Sequence, residues 1–337
     1  MPGPMSVRGD AHSDASGRAT FTAAVLDRAV LGLLAVATRA AERLSIDRAV
    51  ALGAGFGRLW LRLHGPRVRR VRLQLVRAFP ECDVAVREAW AQEVFVHLGR
   101  GMAELLLLRG RHRAALLERV AVDGREHLEA AERASPTGGV MIVTAHYGNW
   151  ELAGARVAAL GVPISVVYRG RNRVALDQAL LDLRTAGAPP PPGAPTAVEQ
   201  IPTGPTAGRK AIRALDAGRK LLVLLDQNAR RRDGVFVSFF SQPACTRSAP
   251  LEIAARSGVP VLPAFIRRDP DGRGHRIRIH PALQLEPGAF DDEEVLRRNV
   301  QRATAAIEQE IRAAPGQWLW THRRWRTQPP DGADPSG

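Results

Sequence analysis

The chain from about residue 139 onward alternates short apolar runs rich in β-branched residues with segments whose apolar residues recur at helical spacing. The runs of the first kind are "GVMIVTA", "ISVVY", "KLLVLLD", "VPVLPAFI" and "HRIRIH". The helical patterns are "NWELAGARVAAL", "VALDQALLDLRTA", "GRKAIRALDAG", "APLEIAARSG" and a last one near Glu293 to Arg312. This alternation predicts an α/β fold, in which helices flank a mixed, largely parallel sheet.

The first third of the chain is predicted to be helical. A long helical pattern runs from Val84 to Arg109, and two shorter apolar runs, Ala29–Thr38 and Ala49–Gly57, precede it between arginines. Each short run is about half of the roughly 20 residues that a membrane-spanning helix needs. We interpret them as helices that lie in the membrane interface, with their flanking cations toward anionic headgroups. Two helices packed onto the main domain, or one tilted spanning helix from Phe21 to Leu44, are the alternatives.

These patterns divide the chain into a disordered start (1–20), membrane-interface helices (21–72), a main domain (73–329) and a disordered tail (330–337). The start has no continuous apolar run, so we expect no cleaved secretory signal. The proline-rich stretch from Ala188 to Gly208 is predicted to be a long loop, because prolines remove backbone donors and fix the backbone. Such a loop is a lid, a binding loop or a tolerated insertion.

Charge and composition limit the partners that the chain can have. Its 337 residues are 45% hydrophobic, as in globular proteins, and carry a formal net charge of +14. That charge indicates an anionic partner, which is nucleic acid, a phospholipid surface, or a phosphorylated or acidic-carrier substrate. No zinc-finger or RNA-recognition signature is present, so nucleic acid is not expected. Cys82 and Cys245 lack metal-ligand spacing, and we expect no metal and no cofactor.

Candidate chemistry lies in "VTAHYGNWELAG", where a strand-like run ends at a histidine and a helix then begins. His146 and Glu151 are five residues apart, which on one continuous helix separates them by about 140°. Gly148 allows a turn and Asn149 is a favoured N-cap, so the helix is predicted to begin at Trp150. His146 then lies in the loop and folds back over the first helical turn, where Glu151 lies.

This arrangement predicts a general-base dyad, with a structural histidine at a strand end as the alternative. The positive end of the helix dipole favours a carboxylate at Glu151, and a carboxylate fixes the tautomer of a histidine and stabilises its imidazolium. The nucleophile motif "GxSxG" is absent, so a covalent acyl-enzyme is not indicated. We expect the acceptor hydroxyl itself to be activated.

The segment "HYGNWE" resembles the HxxxxD/E motif of glycerolipid-type acyltransferases, in particular its form in the bacterial lipid A biosynthesis (lauroyl/myristoyl) acyltransferases. The resemblance continues through "VVYR", "LLDQNARRRDGVFVSFFSQPACT", "RSGVPVLPAFIRR" and "APGQWLWTHRRWRTQP", and covers most of the chain from about Arg28. It implies transfer of a fatty acyl group from acyl carrier protein, or sometimes coenzyme A, to a hydroxyl of a lipid A precursor. The implied location is the cytoplasmic face of the inner membrane, reached by monotopic attachment or a single N-terminal anchor.

The resemblance implies that His146 is the base and that Glu151 orients and charges it. The further residues predicted to bind substrate are Asn149, Arg169, Asp226, Arg247, Arg323 and Arg324. Arg169 matches the "YR" of the family, and its planar guanidinium can donate two hydrogen bonds to a phosphate or to the acyl donor. Asp226 ends an apolar run, the usual position of site residues in α/β sheets, although a strand-ending cap is the alternative. The implied partners are an acyl-acyl carrier protein or acyl-CoA donor, a glycolipid acceptor and an anionic membrane surface.

Two departures from the family pattern leave loop geometry and acyl-chain length open. Ser241 stands where the family usually has glycine after "FF", and the proline run from Ala188 to Pro195 is unusually long. Two other functions also remain open. One is acylation of mannosylated phosphatidylinositol, whose enzymes usually have aspartate in place of Glu151. The other is a non-catalytic, basic protein that binds membranes or nucleic acid.

Overall fold

The computed structural model describes residues 28, 30–63, 65–168, 198–289 and 291–330. The predicted disordered start, the helix "VALDQALLDLRTA", the proline run 188–195 and residues 331–337 lie outside this part. The helices are α1 (30–42), α2 (Ile46–Arg62), α3 (Pro66–Ala78), α4 (Val84–Leu107), α5 (Arg113–Glu118), α6 (Arg125–Ala134), α7 (Trp150–Ala159), α8 (Ala207–Asp216), α9 (Ala249–Ser257) and α10 (Glu293–Ala313). The strands are β1 (Val120–Asp123), β2 (Val140–Thr144), β3 (Ile164–Tyr168), β4 (Val198–Pro202), β5 (Lys220–Leu224), β6 (Gly234–Phe239), β7 (Gln242–Arg247), β8 (Val261–Arg268) and β9 (His275–Ile279).

Seven strands form the main sheet in the order β1-β9-β8-β2-β5-β3-β4. The strands β8, β2, β5, β3 and β4 are parallel, β9 is antiparallel to β8, and β1 is parallel to β9. Val140, Met141 and Val143 of the central strand β2 are fully buried, which explains its unbroken apolar sequence. The predicted α/β class, with a mostly parallel sheet between helices, is confirmed.

The prediction of a loop over Ala188 to Gly208 is wrong in its described part. Val198–Pro202 forms β4, and Ala207 begins α8. Strand β4 lies at the edge of the sheet and pairs only with β3. Its proline is its last residue, where a missing backbone donor costs least. The proline argument excluded an interior strand and did not exclude a short edge strand.

Strands β6 and β7 form a separate antiparallel hairpin with a two-residue turn at Phe240 and Ser241. Both turn residues have positive φ, 53° and 56°, as a type I′ turn requires. Glycine adopts this conformation more readily than serine does. The backbone therefore explains why serine at position 241 is a departure from the family pattern.

Helix α2 packs on α4 at glycine contacts and leaves its other side exposed. A Cβ placed on Gly53 would lie 2.3 Å from the carbonyl oxygen of Gly99, and one on Gly57 would lie 2.0 Å from that of Phe95. The two backbones approach this closely because glycine stands at both positions. The exposed large apolar residues of α2 and its end are Leu52, Phe56, Leu59 and Leu63. Within the described residues, no helix is both long and apolar enough to cross a membrane.

The segment after α10 returns to the carboxyl ends of the central strands. Trp318 forms an antiparallel bridge with Tyr147. The amide of Gly148 donates to the carbonyl of Gln317 at 3.0 Å, and the amide of Leu319 donates to the carbonyl of His146 at 3.0 Å. This tryptophan-rich segment therefore supports the loop that carries the predicted histidine.

Candidate active site

The order of strands in the sheet brings His146 and Asp226 together. Strands β2 and β5 are parallel neighbours whose last paired residues are Thr144 and Leu224, so the residues two positions further on meet at the carboxyl edge. The Nδ1 atom of His146 lies 2.8 Å from Oδ1 of Asp226. The backbone amide of His146 donates to Oδ2 of the same carboxylate at 2.9 Å. One aspartate thus binds both the ring and the backbone of the histidine.

Asp226 is buried and ionised. Trp318 donates a third hydrogen bond, from its indole Nε1 to Oδ2 at 2.8 Å. Burial alone would raise the pKa of this carboxyl, but the charge of His146 and the hydrogen bonds from His146 and Trp318 outweigh it and lower the pKa to about 2. The site therefore holds a fixed negative charge beside the imidazole at neutral pH.

This contact sets the tautomer of His146. A carboxylate only accepts hydrogen bonds, so Nδ1 carries the ring proton and Nε2 keeps its lone pair. The amide nitrogen of Gln227 lies 3.2 Å from Nε2, and Gln227 is exposed. The side chain of His146 is 21% exposed, and Trp150 packs edge-on against its ring with centroids 5.1 Å apart. The atom of His146 that can accept a proton is therefore Nε2, the ring nitrogen that does not contact Asp226.

The structure places a carboxylate other than the predicted one beside the histidine. Among the described residues, the carboxylate that contacts the imidazole is Asp226, and no hydrogen bond or ion pair joins His146 to Glu151. Glu151 lies in the first turn of α7, as predicted, and accepts a hydrogen bond from the indole of Trp150 at 3.2 Å. The backbone amide of His146 and the end of β5 direct the ring toward Asp226 instead.

Asn149 lies inside the protein at the start of α7. It is buried and caps α7, with its Oδ1 accepting from the amide of Leu152 at 3.2 Å. Its Nδ2 donates to Glu104 at 2.8 Å. The predicted turn and N-cap are confirmed. Gly148 has φ +57°, and a Cβ there would lie 1.9 Å from the carbonyl oxygen of Ile266, so both the turn and the close approach favour glycine. Both polar groups of the Asn149 side chain are thus bonded within the protein, and its predicted substrate contact stays a prediction.

Arg324 also lies inside the protein. Its guanidinium donates to the carbonyl of Cys245 at 2.9 Å and to the hydroxyl of Thr246, and lies 5.0 Å from the ring centroid of Phe239. Burial lowers the pKa of Arg324 to about 10, against the attraction of Asp226. The residue has no exposed surface, and its predicted contact with a phosphate or headgroup stays a prediction. It holds the closing segment against the hairpin of β6 and β7.

The other predicted arginines differ in position. Arg247 and Arg323 are exposed, at the end of β7 and beside the buried Arg324. Both remain candidates for binding an anionic substrate. Arg169 lies outside the described residues, and its predicted role stays a prediction.

Sequence reasoning missed Trp318 as a residue that contacts Asp226, whereas it placed Gln227 at the same strand end as Asp226. Trp318 belongs to "WLWTHRRWR", the stretch most specific to the family, but no residue pattern indicates that its indole reaches a strand end 92 residues earlier. The specificity of that motif for the family was the signal that could have pointed to Trp318. Gln227 directly follows Asp226, so its position at the same strand end was indicated.

A histidine bound to an ionised aspartate at the carboxyl edge of an α/β sheet is an arrangement that suits proton transfer in an enzyme. The chain belongs to the bacterial lipid A biosynthesis acyltransferase family, whose model matches residues 22–327. It is accordingly an acyltransferase.

Several characterised proteins resemble the chain over most of its length. It is 28% identical to the lipid A biosynthesis lauroyltransferase of Escherichia coli over 279 residues, which are 82% of this chain and 85% of that protein. It is 27% identical to the palmitoleoyltransferase of the same organism, over 77% of this chain and 78% of the relative. It is also 25% identical to the phosphatidylinositol mannoside acyltransferase of Mycobacterium tuberculosis, over 86% and 85%.

Proposed function

We propose that the protein transfers a fatty acyl group from a thioester to a hydroxyl of a lipid A precursor, with His146 as general base and Asp226 as its partner. The observation that carries this proposal is the bond between Nδ1 of His146 and the buried carboxylate, at 2.8 Å, which leaves Nε2 available as the proton acceptor. The family and its reaction class agree with that chemistry.

The proposed reaction is a direct acyl transfer. Nε2 of His146 takes the proton of the acceptor hydroxyl as the oxygen attacks the thioester carbonyl. The tetrahedral intermediate collapses with cleavage of the carbon–sulfur bond, and the imidazolium returns the proton to the departing thiolate. The products are an ester and a free thiol, so atoms and charge balance. A positioned base of this kind contributes about 10²–10⁴ in rate.

The surroundings of His146 suit this cycle. Asp226 keeps Nδ1 protonated before the reaction and stabilises the imidazolium during it, because the charge of His146 and three hydrogen bonds outweigh burial and keep the carboxyl of Asp226 ionised. Glu151 positions Trp150, whose ring edge contacts His146. The amide nitrogen of Gln227 lies 3.2 Å from Nε2 and 3.5 Å from Nδ1, so this exposed side chain moves aside when an acceptor hydroxyl reaches Nε2.

The acyl donor is proposed to be acyl-acyl carrier protein or acyl-CoA, both of which are anionic. Exposed arginines lie in the segments around the loop that follows β5: Arg230, Arg232, Arg247 and Arg323. The segments are joined, because Gly234 pairs with Arg247 across the hairpin and His322 accepts from the amide of Asn228 at 3.0 Å. Their common position favours an anionic substrate part at this side of the site.

Attachment to the cytoplasmic face of the inner membrane is proposed from α2. Leu52, Phe56, Leu59 and Leu63 recur at helical spacing and are exposed, and Arg58 between them is exposed as well. An amphipathic helix with basic residues fits an anionic interface. A Phe56→Glu variant is expected to co-sediment less with anionic vesicles while its thermal unfolding is unchanged, whereas unchanged co-sedimentation would contradict the attachment.

The relative that acylates phosphatidylinositol mannoside supports a second candidate acceptor. Purified protein is tested in mixed vesicles with acyl-acyl carrier protein or acyl-CoA, and with a lipid A precursor or a mannosylated phosphatidylinositol. We expect transfer to the lipid A precursor and none with His146→Ala. Transfer only to the mannosylated lipid would replace the proposed acceptor. Full transfer by His146→Ala would refute the mechanism, and DNA binding without any transfer would favour the basic binding protein.

A further inference from the structure

A buried charged cluster lies behind the loop that carries His146. Its centre is Glu104 of α4, which is 1% exposed. Arg268 at the end of β8 donates to both of its oxygens, at 2.6 Å and 2.7 Å, and His275 donates to Oε1 at 2.9 Å. Asn149 completes the set with a 2.8 Å bond to Oε2. The hydrogen bonds and charges of His275 and Arg268 outweigh burial and hold the pKa of Glu104 well below its usual range.

The cluster is connected to the catalytic loop at two points. At the first, Asn149 joins Glu104 to the amide of Leu152, and so to the start of α7. At the second, the amide of Arg268 donates to the side chain of Gln317 at 2.8 Å, and that side chain donates back to the carbonyl of Arg268 at 3.2 Å. The carbonyl of Gln317 in turn binds the amide of Gly148.

A helix start needs an N-cap but does not need a buried ion pair behind it. Serine or aspartate would satisfy the amide of Leu152 as well as asparagine does. The bond to Glu104 therefore adds something that capping does not require, namely a fixed direction for Asn149. His146 is three residues before Asn149, and a displacement of about 1 Å at a reacting group costs on the order of 10²-fold in rate.

We propose that Glu104 is a positioning residue for acyl transfer, which acts through Asn149 to hold the His146 loop in register with Asp226. The inference rests on the proposed role of His146 as the base. Glu104 does not contact substrate, since it is buried and its oxygens are occupied by Arg268, His275 and Asn149. The ordering of the loop is expected to affect kcat and to leave the KM values of donor and acceptor unchanged.

An exchange of the charge between Glu104 and Asn149 tests the proposal. In Asn149→Asp, two carboxylates face each other where a 2.8 Å hydrogen bond now lies. In Glu104→Gln, the guanidinium of Arg268 loses the carboxylate to which it is bonded. Each single variant is expected to lose kcat by about 10²-fold. In the double variant E104Q/N149D, the amide of position 104 donates to a carboxylate that also caps α7. The cluster keeps one negative charge, and most of kcat is expected to return.

A matched control is Glu286→Gln, which removes the charge of a carboxylate that accepts hydrogen bonds from Arg298 and Arg302 of α10. Its kcat is expected to equal that of the wild type. The melting temperatures of the single variants are measured as well. If they equal that of the wild type, a merely structural role predicts no loss of kcat and so no rescue by the double variant. A double variant no faster than the single variants would overturn the proposal, as would loss of kcat only in proportion to unfolded protein.

If Glu104→Gln does not fold, Asn149→Ser tests the same link. Serine caps α7 but is too short to reach Glu104, so kcat is expected to fall with α7 intact. Wild-type kcat in Asn149→Ser would overturn the proposal. His146→Ala is assayed alongside and separates failure of the proposed base from failure of the proposed role of Glu104. Full activity in His146→Ala means that the base assignment has failed, whereas an inactive His146→Ala with a fully active Asn149→Ser means that only this inference has failed.

Discussion

Replacement of Asp226 by asparagine is expected to remove the base without removing the histidine. The Oδ2 position accepts from two donors, the amide of His146 and the indole of Trp318, so the amide oxygen of asparagine must take that place. The NH₂ group then occupies the Oδ1 position and faces Nδ1 of His146. Nδ1 must become an acceptor, and the ring proton moves to Nε2, where the acceptor hydroxyl needs a lone pair.

The expected loss is about 10³-fold in kcat, the middle of the range for a general base. At about 1.4 kcal/mol per decade this is about 4 kcal/mol of transition-state stabilisation. The effect on folding is smaller. Burial and the contacts around Asp226 leave its pKa at about 2 instead of 3.8, which corresponds to about 2 kcal/mol of stability that is present above pH 3.8 and lost as the pH falls toward 2.

The assay is single-turnover acyl transfer in vesicles at neutral pH, with thermal unfolding of each variant as the control for folding. Glu151→Gln is the matched variant, because it removes a carboxylate that does not set the tautomer of His146. We expect Asp226→Asn to be far slower than Glu151→Gln. A folded Asp226→Asn enzyme that transfers at the wild-type rate, beside an inactive Glu151→Gln, would refute the reasoning and restore Glu151 as the partner.

Three further predictions concern stability. Burial and the charge of Arg268 lower the pKa of His97 from 6.5 to about 4, so about 3 kcal/mol of stability present above pH 6.5 is lost as the pH falls to 4. Urea unfolding of the wild type and of His97→Asn across that pH interval measures this loss. The same pH dependence of stability in both proteins would contradict the prediction. Ser241→Gly is expected to add about 0.5–1 kcal/mol because its φ is 56°, with kcat unchanged, and a lower melting temperature would argue against it. Gly53→Ala is expected to cost about 1–3 kcal/mol, because its Cβ meets the carbonyl of Gly99; an unchanged melting temperature would show that α2 moves freely on α4.

Much of the sheet could be predicted from the sequence because its central strands are buried on both faces. Strands β2, β3, β5, β8 and β9 were all indicated by apolar runs, and the runs also located His146 and Asp226 at strand ends. Strands β1 and β4 were missed because they lie at the two edges of the sheet, where partial exposure weakens the apolar pattern.

The pairing within the site could not be predicted because it depends on strand order. Strands β2 and β5 are neighbours although β3 and β4 lie between them in sequence. Glu151 is close to His146 along the chain, whereas Asp226 is 80 residues away, so local reasoning selected a carboxylate other than the one that contacts the ring. Arg324 was assigned to a headgroup because nothing in "THRRWR" distinguishes it from Arg323. Only the packing of the closing segment against Phe239 buries one and exposes the other.

The most direct test of the central claim is the rate of acyl transfer by His146→Ala with and without free imidazole, at saturating donor and acceptor. If Nε2 of His146 is the proton acceptor, the variant is expected to be about 10²–10⁴-fold slower and to regain activity as imidazole is added. A folded His146→Ala enzyme that transfers the acyl group at the wild-type rate without imidazole would contradict the claim.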